Sequence, residues 1–250
     1  SSDFFAMSVL EIDQEAGTNT LVHSYALAGG DLKDHIQYFN YLCNAFDFEM
    51  ICIDNAGFQF IDSCNESGLF TKDLHFFEFN SDAEGVNYEK EIRRARKEYN
   101  KQDGKICFKQ VFTSNWLRKA NEYLQASIDH KRLWFASKAT ASTEAFNKMT
   151  NQKIDFKYKM GETILDLVEE QDNLVYQTKK QCALIEVKST AKGTQTFDLP
   201  QHLKRNTSAS RARRDNYTTL MIGNWALKCY HDMMSAEEES PDETFTPMMI

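Results

Sequence analysis

Hydrophobic positions open the chain in a strand-like pattern. Phe5 to Ile12 and Thr20 to Leu27 are apolar-rich runs on either side of a polar turn, Gln14 to Asn19, that contains Gly17. This spacing predicts a β-hairpin. Gly29-Gly30-Asp31 then stops the sheet and caps a helix whose apolar positions Leu32, Ile36, Phe39, Tyr41, Leu42 and Phe46 suit one face. Glu49 to Asp54 (EMICID) follows as a short apolar run ending in a carboxylate. Such a run reads as a buried strand of the parallel type.

Alternation continues along the chain. Strands are predicted over Leu74 to Phe79, Lys105 to Val111, Leu133 to Phe135, Cys182 to Lys188 and Thr194 to Leu199, the last two pairing around Gly193. Helices are predicted over Tyr88 to Tyr99, Ser114 to Ser127, Thr163 to Lys180 and Arg213 to Met234. The last of these carries Tyr217, Leu220, Met221, Asn224 and Leu227 on one face, and Ser137 to Lys159 is a polar stretch. A hairpin followed by strands alternating with helices predicts a mixed α/β sheet with helices packed on it. Trp116, Trp134 and Trp225 are assigned to core packing.

Composition narrows the class. The 250 residues are 42% hydrophobic and 26% charged, which excludes a disordered or low-complexity chain. No run approaches the ~18 apolar residues of a membrane-spanning helix, so no membrane partner is expected. The six cysteines form no C-x-x-C pair and no zinc-ligand spacing, which suits a reducing compartment.

The net charge of −8 hides a strong asymmetry. The segment after His231 carries −6, and residues 236–250 are expected to form an acidic mobile tail. Lys188 to Arg214 carries +6, from Lys188, Lys192, Lys204, Arg205, Arg211, Arg213 and Arg214 against Asp198 alone. A local excess of this kind is a candidate phosphate-binding surface, and a solvated basic loop is the plain alternative.

Three aspartates are candidates for chemistry. Asp54 ends an apolar strand and precedes the turn Asn55-Ala56-Gly57, and open α/β sheets place ligands at the carboxyl ends of their strands. Asp215 opens the last long helix directly after Arg213-Arg214, where it could equally serve as a helix cap. Asp3 lies just ahead of the first strand. Carboxylates from distant parts of a chain that converge beside a positive surface can hold Mg²⁺ or Mn²⁺ for in-line displacement at phosphorus.

A competing constellation lies on the strand Ala183-Leu184-Ile185-Glu186-Val187-Lys188, with Asp166 and Asp172 upstream. Alternation puts Glu186 and Lys188 on one face, the arrangement of a restriction-endonuclease-like PD-(D/E)xK site, although Glu-x-Lys is frequent by chance. No G-x-x-x-x-G-K-[ST] loop, G-x-S-x-G or H-E-x-x-H is present, and His202 reads as a surface histidine.

Three short motifs, with the stretch ahead of the last one, resemble the nuclease domain of tailed-bacteriophage large terminases, of the RNase H-like superfamily. Ser2-Asp3-Phe4-Phe5-Ala6-Met7-Ser8-Val9-Leu10 is similar to its second strand, and Met50-Ile51-Cys52-Ile53-Asp54-Asn55-Ala56-Gly57 to its strand ending in an acid. Asp215-Asn216-Tyr217-Thr218-Thr219-Leu220 with Gly223 and Trp225 resembles its closing motif, and Thr196 to Pro200 with Arg211 to Arg214 the strand and basic loop before it.

The resemblance implies an RNase H-like mixed sheet flanked by helices, with the expected first central strand missing from the N-terminus. The implied domain spans residues 1–235, with 137–181 as an insertion or peripheral helical segment. The implied activity is two-metal endonucleolytic cleavage of double-stranded viral DNA during genome packaging, in the cytoplasm of an infected bacterium. Asp54 and Asp215 would then be metal ligands, with Asp3 an auxiliary acid. A packaging ATPase domain, portal and small terminase are the partners it implies. A non-catalytic module that docks DNA or a packaging partner is the remaining alternative.

Overall fold

The computed structural model describes residues 4–28, 31–54, 57–79, 94, 97, 104–136, 164–189, 195–204 and 214–239. The opening hairpin comprises β1 (Phe4–Asp13) and β2 (Thr18–Ala28), paired antiparallel with a register shift between Val9 and Leu10. Its turn is fixed by the Asp13 carboxylate, which accepts from the Ala16 amide at 2.9 Å, and by Gly17 at φ +63°. That left-handed conformation carries little penalty for glycine alone. Asp31 caps α1 (Leu32–Ala45) by accepting from the Lys33 amide at 3.1 Å.

The next elements are β3 (Ile51–Ile53), α2 (Phe58–Glu66), β4 (Asp73–Phe79), β5 (Gly104–Gln110), α3 (Ser114–Asp129) and β6 (Leu133–Phe135). They are followed by α4 (Ile164–Leu184), β7 (Glu186–Ser189), β8 (Gln195–Asp198), α5 (Gln201–Lys204) and α6 (Asp215–Glu239). The strands form a mixed sheet in the order β1-β2-β6, a parallel sheet in the order β3-β5-β4, and the separate antiparallel pair β7-β8.

Strand alternation sorts the core into two sides. Phe5 and Met7 of β1, Ile51 and Ile53 of β3, and Cys107 of β5 pack with Ile36 and Phe39 of α1 and with Phe60, Ile61 and Cys64 of α2. Leu10 and Ile12 of β1, Met50, Cys52 of β3 and Phe108 of β5 pack instead with α3 and α6, around Trp116, Leu220 and Trp225. The protein is therefore α/β, with sheets flanked by helices on both faces.

Helix α6 is buried around nearly its whole circumference, from Tyr217 through Tyr230, and forms the centre of the larger cluster. A helix apolar on all sides belongs inside a domain rather than on its surface. Leu10 closes against Gly223, where an added Cβ would come within 2.6 Å of its Cδ1.

Several expectations need correction. Residues Cys182 to Leu184 continue helix α4, and the strand begins only at Glu186. Part of the stretch expected as peripheral is internal: Val175 and Thr178 are buried, and the Thr178 hydroxyl lies 3.0 Å from that of Ser24 on β2. Helix α6 runs through Glu239, so residues 236–239 are helical rather than tail. Trp116 and Trp225 are core residues at 0% and 5% exposure, but Trp134 is 50% exposed on the edge strand β6. Leu32, expected on the buried face of α1, is also exposed. Helices α2 and α5 had no counterpart in the sequence reading.

Of the expected helix over Tyr88 to Tyr99, Arg94 and Lys97 are described and are helical. The polar stretch Ser137 to Lys159 lies outside the described residues.

Candidate active-site cleft

A cleft of about 930 Å³ opens between β1 and β3, with α1 and α2 on one side and α6 on the other. Asp54 and Asp215, which are 161 positions apart in the sequence, both line it. Each is held there by a different local device.

Asp54 directly follows β3. It shares the parity of Met50 and Cys52, which face α6, so alternation directs it to the same side of the sheet as Asp215. The chain turns at once: the Gly57 amide donates to the Asp54 carbonyl at 3.1 Å. Gly57 is pressed against the strand it has just left, since a Cβ there would lie 2.1 Å from Cγ1 of Ile53. Only glycine permits this close return without moving Ile53.

Asp215 is the first residue of α6. Arg214 precedes it, and the Arg214 carbonyl accepts from the Thr218 amide at 2.9 Å and from its hydroxyl at 3.1 Å. One turn further on, Thr219 bonds Ser8 of β1, oxygen to oxygen, at 2.7 Å. Helix and strand run in the same direction from there, because Gly223 meets Leu10 and Tyr230 meets Gln14. Asp215 therefore lies toward the N-terminal end of β1. Phe5, at that end of β1, has its ring centroid 4.8 Å from that of Phe60, which follows the Gly57 turn, with the two rings tilted. The two carboxylates thus belong to the end of the cleft where β1 begins and β3 finishes.

Their oxygen donors suit a hard cation. Mg²⁺ is commonly held by one or two carboxylates with water and substrate phosphate completing the shell. Among the described residues no group of three histidine, cysteine, aspartate or glutamate side chains gathers to hold a metal. Two carboxylates, Asp54 and Asp215, line the cleft with oxygen donors of that kind. Glu11, Asp47 and Glu49 also line the cleft, a contribution the sequence reading missed. Glu11 could have been suspected from its place on β1, but Asp47 and Glu49 carry no motif.

Cys52 also lines the cleft, but burial pushes its thiol up to about 12. It stays protonated near neutral pH and is a packing group rather than a nucleophile.

The basic segment is only partly described. Arg214 donates from Nη1 to the Phe197 carbonyl at 3.0 Å and lies 3.4 Å from the Asp198 carboxylate, which ties β8 to the start of α6. Half of its side chain remains exposed beside Asp215. Lys204 lies in α5, whereas Asp3, Lys192, Arg205, Arg211 and Arg213 lie outside the described residues.

Glu186 and Lys188 do share a face, as alternation requires. They pair with each other at 3.0 Å on a strand exposed along its whole length, and neither lines the cleft. Asp166 and Asp172 lie within α4. Glu186 and Lys188 lie apart from the cleft that holds Asp54 and Asp215.

Among the described residues no helix is long and apolar enough to cross a membrane. Compared with protein-family models, with curated proteins and with solved structures, the chain finds no significant match.

Proposed function

We propose that the protein is a metal-dependent endonuclease with an RNase H-like arrangement, acting on double-stranded viral DNA during packaging in the cytoplasm of an infected bacterium. The observation that carries this reading is the sharing of one cleft by Asp54 and Asp215, each at the end of its own element and on the α6 side of the sheet. Two acids this far apart in sequence meet in a cleft only through the tertiary fold.

Asp54 and Asp215 are the residues that would hold Mg²⁺ or Mn²⁺. When bound, the ion supplies a deprotonated water and offsets charge developing on the phosphate oxygens. The protein's own groups do the positioning. The N-terminus of α6 brings the positive end of its dipole to Asp215 in the cleft lining, which favours a phosphate there. Arg214 adds a fixed positive charge beside it. Lys188, Lys192, Lys204, Arg205, Arg211 and Arg213 are proposed to grip the backbone, which positions the duplex without reading its sequence. The packaging ATPase domain, portal and small terminase remain proposed partners on the same reading.

The experiment is Mn²⁺-supported nicking of supercoiled plasmid, read beside Mn²⁺ binding by electron paramagnetic resonance. Asp54→Asn and Asp215→Asn are each expected to abolish nicking and to release bound Mn²⁺, with the fold intact by circular dichroism. Salt-dependent DNA binding without Mn²⁺ binding or nicking by the unsubstituted protein would overturn the proposal in favour of a docking module.

A further inference from the structure

A second surface lies on the side of the first sheet away from the cleft. β6 pairs with β2 on the flank opposite β1, so it stands two strands, about 10 Å, from the wall of the cleft. Alternation along it is clear. Leu133 and Phe135 turn toward the core, and Trp134 turns outward with half of its area exposed. Among the described residues Trp134 belongs to no hydrophobic cluster. It presents a flat π-face on a strand that the sheet holds in place.

Cations surround this ring. The Arg132 carbonyl accepts from the Asn19 amide of β2 at 2.8 Å, which carries the ladder back to Arg132. Two positions from Trp134, Arg132 shares its face of the sheet, and it is exposed. Lys131 is also exposed and sits at φ +57°, the left-handed conformation that a helix end usually gives to glycine. The turn is fixed by the Lys131 amide on the Ile128 carbonyl at 3.0 Å and the Arg132 amide on the Ser127 carbonyl at 2.8 Å. The negative end of α3 accounts for a cation in this turn. It does not account for a cation in the position that suits glycine.

The other flank of β6 repeats the theme. Lys179 of α4 lies 5.9 Å from the centroid of the Phe135 ring, and Lys180 lies 4.6 Å from that of Tyr176, which is more than half exposed. On the Trp134 face the cross-strand row continues through Thr20 to Glu11, so the acid stands at the cleft end and the cations at the β6 end.

We infer that this flank of the sheet binds single-stranded DNA, with one unpaired base stacked on Trp134 and the adjoining phosphates against Lys131 and Arg132. Open rings beside fixed cations are what an unpaired strand recognises, because every base has a π-face and every linkage a negative charge. A duplex covers its base faces and offers the ring nothing to stack on. The core of a protein interface is depleted of charge, whereas this ring is bordered by exposed cations. The surface rests on Trp134 and its neighbours alone; the choice of DNA over RNA rests on the DNA-cleaving reading of the cleft.

Tryptophan emission tests it. Trp116 and Trp225 are buried, so contact with a base quenches Trp134. The 250-residue protein is titrated in EDTA, where nothing is cleaved, with oligo(dT) of about 12 nucleotides. Saturable quenching is expected, and Trp134→Phe is expected to remove it. Binding of the labelled oligonucleotide, read by anisotropy, is expected to weaken about 10-fold in Trp134→Ala and to be largely kept in Trp134→Phe. Arg132→Ala and Lys131→Gly are each expected to lower the salt slope by about 0.7. Lys131→Gly should do so without lowering the urea midpoint, because glycine relieves the left-handed strain. Absence of quenching, unchanged affinity in Trp134→Ala, or equal quenching by a duplex of the same length overturns the inference. Equal quenching by polyglutamate overturns it in favour of an acidic protein partner, and tighter binding of oligo(U) overturns the choice of DNA. Quenching by oligo(dT) without plasmid nicking leaves this surface standing while the nuclease reading falls; nicking without quenching does the reverse.

Discussion

Lowering the pH from 7 to 5 is expected to destabilise the fold through a single side chain, His23. The ring is buried on β2, with Nε2 2.5 Å from the Tyr38 hydroxyl and the two rings stacked. Burial lowers its pKa from 6.5 to about 4, because the charged imidazolium loses its water. The unfolded chain therefore takes up a proton that the folded chain refuses. The contribution is complete above the unfolded value and is lost as pH falls from 6.5 toward 4. A unit of difference is worth a little over 1 kcal/mol, so the full loss below pH 4 has a ceiling of about 3 kcal/mol. At pH 5 the same relation gives about 2 kcal/mol. The assay is urea unfolding of the unsubstituted protein and of His23→Gln, each at pH 7 and pH 5. The unsubstituted protein is expected to lose about 2 kcal/mol more than the variant over this interval. Equal losses would refute the argument and move the pH dependence to the carboxylates.

Two further substitutions test the walls of the site. Gly57→Ala is expected to cost about 1–3 kcal/mol in urea unfolding, because the new methyl must displace the side chain of Ile53, the last residue of β3 and the neighbour of Asp54. Glu186→Gln and Lys188→Ala are each expected to change stability by less than about 1 kcal/mol, since the pair is exposed. Glu186→Gln is expected to leave Mn²⁺-supported nicking unchanged, and Lys188→Ala to raise only the protein concentration it needs; loss of nicking at saturating protein on either change would favour the PD-(D/E)xK alternative.

Local signals made much of this fold legible. The β1-β2 hairpin, the Asp31 cap and the parallel setting of β3 follow from turn chemistry and hydrophobic run length, and all three are present. Helix α2 was hidden because its N-terminus carries no side-chain cap: Gly57 occupies that position and makes no side-chain hydrogen bond. The boundary at Cys182 failed because Cys-Ala-Leu suits a helix end as well as a strand start, and the packing of α4 on β2 extends the helix. Trp134 was misplaced for another reason. Among the described residues its short strand has one neighbour, and Leu133 and Phe135 on either side of it take the inward positions.

The position of Asp215 admits two readings that stability and metal binding together separate. A carboxylate in the first turn of a helix offsets the positive end of the dipole, worth about 0.3–1 kcal/mol at an exposed site. Were that its whole contribution, Asp215→Asn would lower stability by that amount and leave Mn²⁺ binding untouched. Asp54 follows a strand and precedes a turn in which the Gly57 amide donates to its carbonyl. A shared ion makes the two residues interdependent despite their different settings. Each single substitution should then weaken Mn²⁺ binding nearly as much as the double substitution does, which is the non-additivity of groups acting on one ligand. Independent, additive losses would mean that the two carboxylates occupy one cleft without serving one site.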